Sequence, residues 1–273
     1  MKTKYFCLFL LLTLLSDNHA ISQDTFTNSI GMKFVYIKAG TFIMGSPLKE
    51  AQRILEDYPH EKQIDEREHK VTLTDGYYIQ TTEVTQRQWK EVMDSNPSFF
   101  IGCGDNCPVE NVSWIDAQSF IQKLNARENT NEYMLPTEAQ WEFACRAGSR
   151  TSYTNGKMIG LDNDLNLDVV AWYLGNSDKT VHPVATKKSN RWGLYDMHGN
   201  VLEWVANSKY RYPSYQVKNP PIVYLDSGSK RVYRGGSWGD PPYACRSAYR
   251  KEAEKSYRHK NLGLRLIKRG GSR

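Results

Sequence analysis

The sequence predicts a single loop-rich α+β domain with few helices and many short strands. Three observations carry this. Between residues 30 and 148, three capped helical patterns are interleaved with stretches of alternating apolar residues. Beyond residue 148, Gly, Asn, Asp, Ser and Pro recur every few positions, and no helix longer than about two turns is legible. Tyr (17) and Trp (7) are plentiful, which suits such a fold: a ring fills volume while its polar atom reaches stray backbone groups. The 273 residues contain no internal repeat or low-complexity linker and fit one large domain.

The domain is expected over residues 21–273, after a leader. Lys2 and Lys4 precede an apolar run, Tyr5 to Leu15, and a polar stretch ends at Ala20. That is the pattern of a secretory signal peptide over residues 1–20. The run is shorter than the ~20 apolar residues of a spanning helix, and no later stretch could cross a bilayer. Asn18 is an imperfect residue for the cleavage region. The protein is therefore expected to be exported, to the periplasm or outside the cell, with no membrane span after cleavage.

Residues 30–46 read as strand, with Phe34, Tyr36, Phe42 and Met44 at two-residue spacing and Ala39-Gly40 as a turn. Residues 47–69 are highly charged and read as a surface loop or short helix. Residues 71–79 alternate and read as one strand. A first helix begins near Thr82 or Thr85 and runs to Met93, before Asn96-Pro97. A second begins at Ser113, whose hydroxyl can cap free backbone N–H groups while Asp116 completes the box. Trp114, Ala117, Ile121 and Leu124 line one face of it. A third begins at Thr137 with Gln140 in the reciprocal place, and Gly148 is its stop.

Four cysteines follow the leader: Cys103, Cys107, Cys145 and Cys245. Turn residues between Cys103 and Cys107 make a local disulfide easy to close. The spacing is not that of a redox-active C-x-x-C pair, and no nearby His or Cys completes a zinc site. The formal charge of +6 is modest, and no basic block is dense enough to suggest nucleic acid.

The densest chemistry lies in Gly193-Leu-Tyr-Asp-Met-His-Gly-Asn-Val-Leu-Glu-Trp204. Two carboxylates, Asp196 and Glu203, flank a Gly199-Asn200 turn between aromatic anchors. This suits a hard cation such as calcium, which takes carboxylate and backbone oxygens. It suits equally a hairpin turn flanked by core rings.

This segment resembles the signature of the formylglycine-generating enzyme family, the sulfatase-modifying factors. Ile43-Met-Gly-Ser46, Thr82-Glu-Val-Thr-Gln-Arg-Gln-Trp89, Pro108-Val-Glu-Asn-Val-Ser-Trp114, Leu135-Pro-Thr-Glu-Ala-Gln-Trp-Glu-Phe143, Arg234-Gly-Gly-Ser-Trp238 and Asn261-Leu-Gly-Leu-Arg265 are similar to its other blocks, in its order. The resemblance implies a C-type-lectin-like fold. It also implies calcium held by the carboxylates of Asp196 and Glu203 and the carbonyls of Gly199 and Val201. A second calcium site of the enzymes is not reproduced around residues 172–182.

The enzymes of this family oxidise a sulfatase cysteine with oxygen and copper(I), a soft ion that needs two close thiolates. The positions three and eight residues after the serine of Arg-Gly-Gly-Ser are Asp240 and Cys245 here. Counted back from Arg246-Ser-Ala-Tyr-Arg250, Cys245 leaves the second position as well. Copper is therefore not expected, and Cys245 is the one candidate catalytic residue. The expected protein is a calcium-braced family member that binds or acts on an exported protein or peptide. The alternatives are a formylglycine-generating oxidase, which would make it an oxidoreductase, and a non-catalytic secreted binding module. Trp238, Tyr243, Arg246, Arg250 and Arg265 either line a groove for a partner or pack on the core with their charged ends outward.

Overall fold

The computed structural model describes residues 24–61, 64–220 and 230–270. The leader read at residues 1–20 lies outside them. The elements run β1 (Thr25–Thr27), β2 (Lys33–Ile37), β3 (Gly40–Met44), α1 (Leu48–Asp57), β4 (His69–Leu73), β5 (Tyr77–Gln80) and α2 (Gln86–Met93). Then follow α3 (Trp114–Arg127), β6 (Tyr133–Met134), α4 (Glu138–Arg146), α5 (Leu165–Val170), β7 (Leu202–Trp204) and β8 (Val217–Lys218). The last are β9 (Lys230–Arg234), β10 (Lys251–Glu254), β11 (Leu262–Leu264) and β12 (Ile267–Arg269).

The strands form three small sheets, ordered β1-β2-β5-β12-β6, β10-β9-β7-β11 and β3-β4-β8. Thus β12, late in the chain, sits inside the first sheet between β5 and the edge strand β6, antiparallel to both. The α+β architecture and short strands follow the sequence reading. One strand expectation needs correction. The stretch 71–79 is two strands in different sheets, because Thr74-Asp75-Gly76 turns the chain between them. A Cβ on Gly76 would lie 2.1 Å from the Tyr36 hydroxyl oxygen, so only glycine passes there. The charged stretch after residue 47 contains the ten-residue helix α1.

Helix starts follow their caps. Thr85, Ser113 and Thr137 each accept a backbone N–H with the side chain and complete a reciprocal box with Gln88, Asp116 and Gln140. The α4 helix ends as Ala147 and Gly148 enter the left-handed region, at φ 44° and 86°. Residues of α3 (Ala117, Phe120, Ile121, Leu124) pack with Trp89 and Trp204 in one core. A second core gathers Trp141, Ala144, Cys145, Met197 and Val205, so α4 lies directly against the 196–205 segment.

Candidate functional site

The β7 strand pairs parallel to β11, with Glu203 beside Gly263. That register brings Arg265 to Glu203. The guanidinium donates from Nη2 at 2.8 Å to Oε1 and from Nε at 3.1 Å to both oxygens. Trp141 Nε1 donates to Glu203 Oε2 at 2.7 Å. Glu203 is thus fully buried and well supplied with donors.

The turn before β7 is held by a third acid. Glu83 accepts the Val201 N–H on Oε1 and the Asn200 Nδ2 on Oε2, both at 2.9 Å. Gly199 stands at φ 97°, and a Cβ there would lie 2.2 Å from the Trp172 carbonyl oxygen. Glycine is required for that approach. Asp196, also left-handed at φ 57°, accepts the Ala185 N–H on Oδ2 at 2.7 Å. Its Oδ1 is buried without a hydrogen-bond partner.

Three buried carboxylates therefore share one guanidinium. Burial, the dominant cause, raises Asp196 to about 6, with Glu203 adding to the rise. Burial raises Glu83 well above the ordinary carboxylate range, and the charges of Asp196 and Glu203 add to that. A cluster arranged so favours the protonated forms of Asp196 and Glu83.

This tests the fit of calcium. The unpartnered Asp196 oxygen and the excess of carboxylates fit a hard cation, while Glu203 would have to share itself with Arg265. Among the described residues, no group of three or more His, Cys, Asp or Glu side chains is disposed to hold a metal ion. A cation here would need backbone oxygens, and the carbonyls of Gly199 and Val201 lie in the same turn.

The sulfur region lies on the other side of the segment. Cys103 and Cys107 form a disulfide, as their spacing suggests, with Cα atoms 5.9 Å apart. Cys145 and Cys245 are free and buried. His198 stands between their chain segments. Its Nε2 accepts the Thr154 N–H at 3.0 Å, so Nδ1 carries the proton and donates to the Cys245 carbonyl at 2.8 Å. Burial lowers this imidazole to about 4. The Cys145 sulfur lies 3.6 Å from His198 Nε2 and 3.6 Å from the Met197 carbonyl. Burial pushes the Cys145 thiol up to about 12 and raises Cys245 well above its ordinary value. The Cys245 sulfur is closed over by Gly236, where a Cβ would sit 2.5 Å from it. Both are favoured by burial as neutral thiols, whereas the thiolate is the reactive form.

Asp240 lies instead in an open cavity of about 140 Å³ with Tyr233, Tyr249, Lys251, Tyr257 and His259. A larger cavity of about 350 Å³, lined by His60, Glu61, Lys209 and Tyr243, shares Tyr249 and Lys251 with it. Tyr243 donates to Glu61 Oε1 at 2.7 Å, and Lys251 pairs with the same oxygen at 3.2 Å.

The expected groove of Trp238, Tyr243, Arg246, Arg250 and Arg265 is not found as a unit. Tyr243 and Arg250 line the larger cavity. Trp238 packs edge-on against Phe100. The charged ends of Arg246, Arg250 and Arg265 are not turned outward but are taken up by buried carboxylates. Arg246 is bound at both Nη atoms by Glu66, at 2.8 and 3.0 Å. Arg250 is bound by Glu138, at 2.7 Å from both Nε and Nη2. Glu138 also takes Arg234 Nε at 3.0 Å, and Glu142 takes Arg234 Nη2 at 2.9 Å and Arg146 Nε at 2.8 Å. This network holds β9 and the segment after it against α4.

With this geometry in view, comparison with known proteins is decisive on ancestry. Residues 22–270 match the sulfatase-modifying factor enzyme 1-like domain. The chain belongs to the sulfatase-modifying factor family. It is 28% identical over 247 residues to the chaperone protein LppX of Paenibacillus barcinonensis, covering 72% of this chain and 81% of that protein. It is 31% identical over 153 residues to the formylglycine-generating enzyme of Streptomyces coelicolor, covering 53% of this chain and 44% of the enzyme. Among solved structures it is similar to Treponema denticola variable protein 1, at a TM-score of 0.74 and 28% identity, over 91% of this chain and 99% of the other. The sulfatase-modifying factor fold is therefore present nearly whole, although the chain spans less than half of the Streptomyces enzyme.

Sequence reasoning missed Glu83, Glu138 and Glu142, which it met only inside the blocks 82–89 and 135–143. The Glu142–Arg146 spacing of four on a helix without an exposed face is the signal that could have exposed the network. It also missed the tyrosines around Asp240. These come from three stretches of chain and share no local pattern.

Proposed function

We propose that this chain is an exported, calcium-braced binding module that engages an exported protein or peptide, and that it is not a copper-dependent formylglycine generator. One observation carries the reading: the single thiol near the family's oxidising position is sealed under Gly236, while its would-be partner is the carboxylate Asp240. Two-coordinate copper(I) needs two accessible thiolates. The likeness to a chaperone over most of both chains supports a role in protein binding. The pair of cavities that share Tyr249 and Lys251 offers open surface for a partner.

Calcium would be held by Asp196, Glu203 and the carbonyls of Gly199 and Val201. It would neutralise buried charge and fix the turn, and it takes no part in chemistry. Glu83 orients that turn by holding the Asn200 side chain and the Val201 N–H.

Co-expression with an exported sulfatase peptide carrying Cys-x-Pro-x-Arg tests the reading. The expected result is no aldehyde in the peptide, with capture of an exported protein by the purified chain. Aldehyde that disappears in Cys245→Ser would replace this reading with the oxidase one.

A further inference from the structure

We infer that the cavity at Asp240 is a subsite for a cationic side chain, a lysine ammonium or an arginine guanidinium, presented by the bound protein or peptide. The inference rests on the binding-module reading and names what the module recognises.

Three tyrosines from separate parts of the chain, Tyr233, Tyr249 and Tyr257, line this cavity together with one carboxylate. Aromatic faces attract cations, and a neighbouring carboxylate adds charge and direction. The carboxylate is held ready by a directed chain of hydrogen bonds. The Asn261 amide donates from Nδ2 to Ser237 Oγ at 2.9 Å, and the Gly239 N–H points to the same oxygen at 3.4 Å. With its lone pairs taken, the Ser237 hydroxyl gives its one proton to Asp240 Oδ2. Asn261 Oδ1 in turn faces His259 Nδ1. Since the amide nitrogen is committed to Ser237, His259 donates there. Every donor in the relay points toward Asp240, which is thereby fixed as an acceptor.

Among the described residues, no cation forms an ion pair with Asp240. Lys251 lines the cavity, with its Nζ 5.5 Å from the centre of the Tyr249 ring and its charge felt by Asp240, but the carboxylate it pairs with is Glu61, at 3.2 Å. His259 has its Nδ1–H turned to Asn261. Burial also raises the Asp240 carboxyl above its ordinary 3.8, a cost that an incoming cation would relieve. At about 140 Å³ the cavity is smaller than the ~300–1,000 Å³ of whole-ligand sites, so it suits the end of one side chain. The larger cavity beyond Tyr249 leaves room for the flanking residues of an extended segment.

The test uses the mature chain and glycine-flanked pentapeptides with a single central lysine, arginine, norleucine or glutamate, titrated by NMR with the tyrosine rings as reporters. The lysine or arginine peptide is expected to bind at least ten-fold more tightly than the norleucine peptide and to shift the Tyr233 and Tyr257 ring signals. Asp240→Asn keeps an acceptor for Ser237 and should abolish the preference. Tyr257→Ala, at a ring that is 43% exposed and so tolerant of change, should weaken it several-fold. Equal binding of all four peptides would overturn the subsite and leave the binding-module reading standing. So would a lysine preference that survives both substitutions. No binding of the lysine or arginine peptide would overturn the subsite too; if aldehyde also formed in a Cys-x-Pro-x-Arg peptide, the binding-module reading would fall with it.

Discussion

Residues 196–203 separate two regions built on opposite principles. On one side, Glu83, Asp196, Glu203 and Arg265 are buried together and keep more negative than positive groups. On the other, Cys145, His198 and Cys245 are buried neutral, with the ring proton settled on Nδ1 and both thiols pushed up. The acids retain an unmet demand, seen as the orphan oxygen of Asp196. The sulfurs have none. Low polarity thus leaves one region short of a partner for a buried oxygen and the other with neutral groups, and burial by itself is not evidence of a reactive site.

The sharpest way to break this contrast is to remove the one cation of the acidic side. Arg265→Leu leaves three buried carboxylates without a counter-charge and should destabilise the fold by about 3–5 kcal/mol. A loss below about 1 kcal/mol in urea unfolding would mean that the pair is not what holds β11 to β7.

Calcium comes next. Added at about 100 times its dissociation constant, it should stabilise the wild type by about 2.7 kcal/mol. In Asp196→Asn and Glu83→Gln most of that gain should vanish. Identical melting temperatures in calcium and in chelator would count against the cation reading.

On the sulfur side, Gly236→Ala forces a methyl against the Cys245 sulfur at a residue with φ 70°. It should cost about 1–3 kcal/mol, and Cys245→Ala should recover part of that in the double variant. The wild-type thiols should resist alkylation until the protein unfolds, and mass spectrometry should then count two modified cysteines. Rapid native labelling of Cys245 would contradict the seal described above.

The gentlest effect is the response to acid. Burial would raise Glu138, but Arg250 and Arg234 outweigh it and hold the carboxyl below its ordinary 4.5. The unfolded chain then binds the proton first, so stability should be intact above about pH 4.5 and decline below it. Glu138→Gln, compared by thermal melts across that range, should flatten this part of the decline.

Helix starts were legible in the sequence because caps are local. Thr85, Ser113 and Thr137 each find a partner three residues on. The Cys103–Cys107 bond was legible for the same reason. The division of residues 71–79 into two strands was not, since it depends on Tyr36 closing over Gly76. The fate of the arginines was hidden more deeply. Arg246 meets Glu66 and Arg250 meets Glu138 across gaps of 180 and 112 residues. No window of sequence shows whether such a side chain ends in solvent or in a buried pair. The 196–203 turn was visible as chemistry, whereas Glu83, which orients it, stands 118 residues from Val201.

The place of β12 has a consequence for biogenesis. Because Ile267 bridges Ile79 on one side and Met134 on the other, β6 cannot join β1, β2 and β5 in the first sheet until residues 267–269 have been synthesised. A chain made in sequence order can pair β1, β2 and β5 early but cannot complete the sheet. The last-made strand of the domain therefore completes that sheet, and the sheet cannot close over β6 until nearly the whole chain exists.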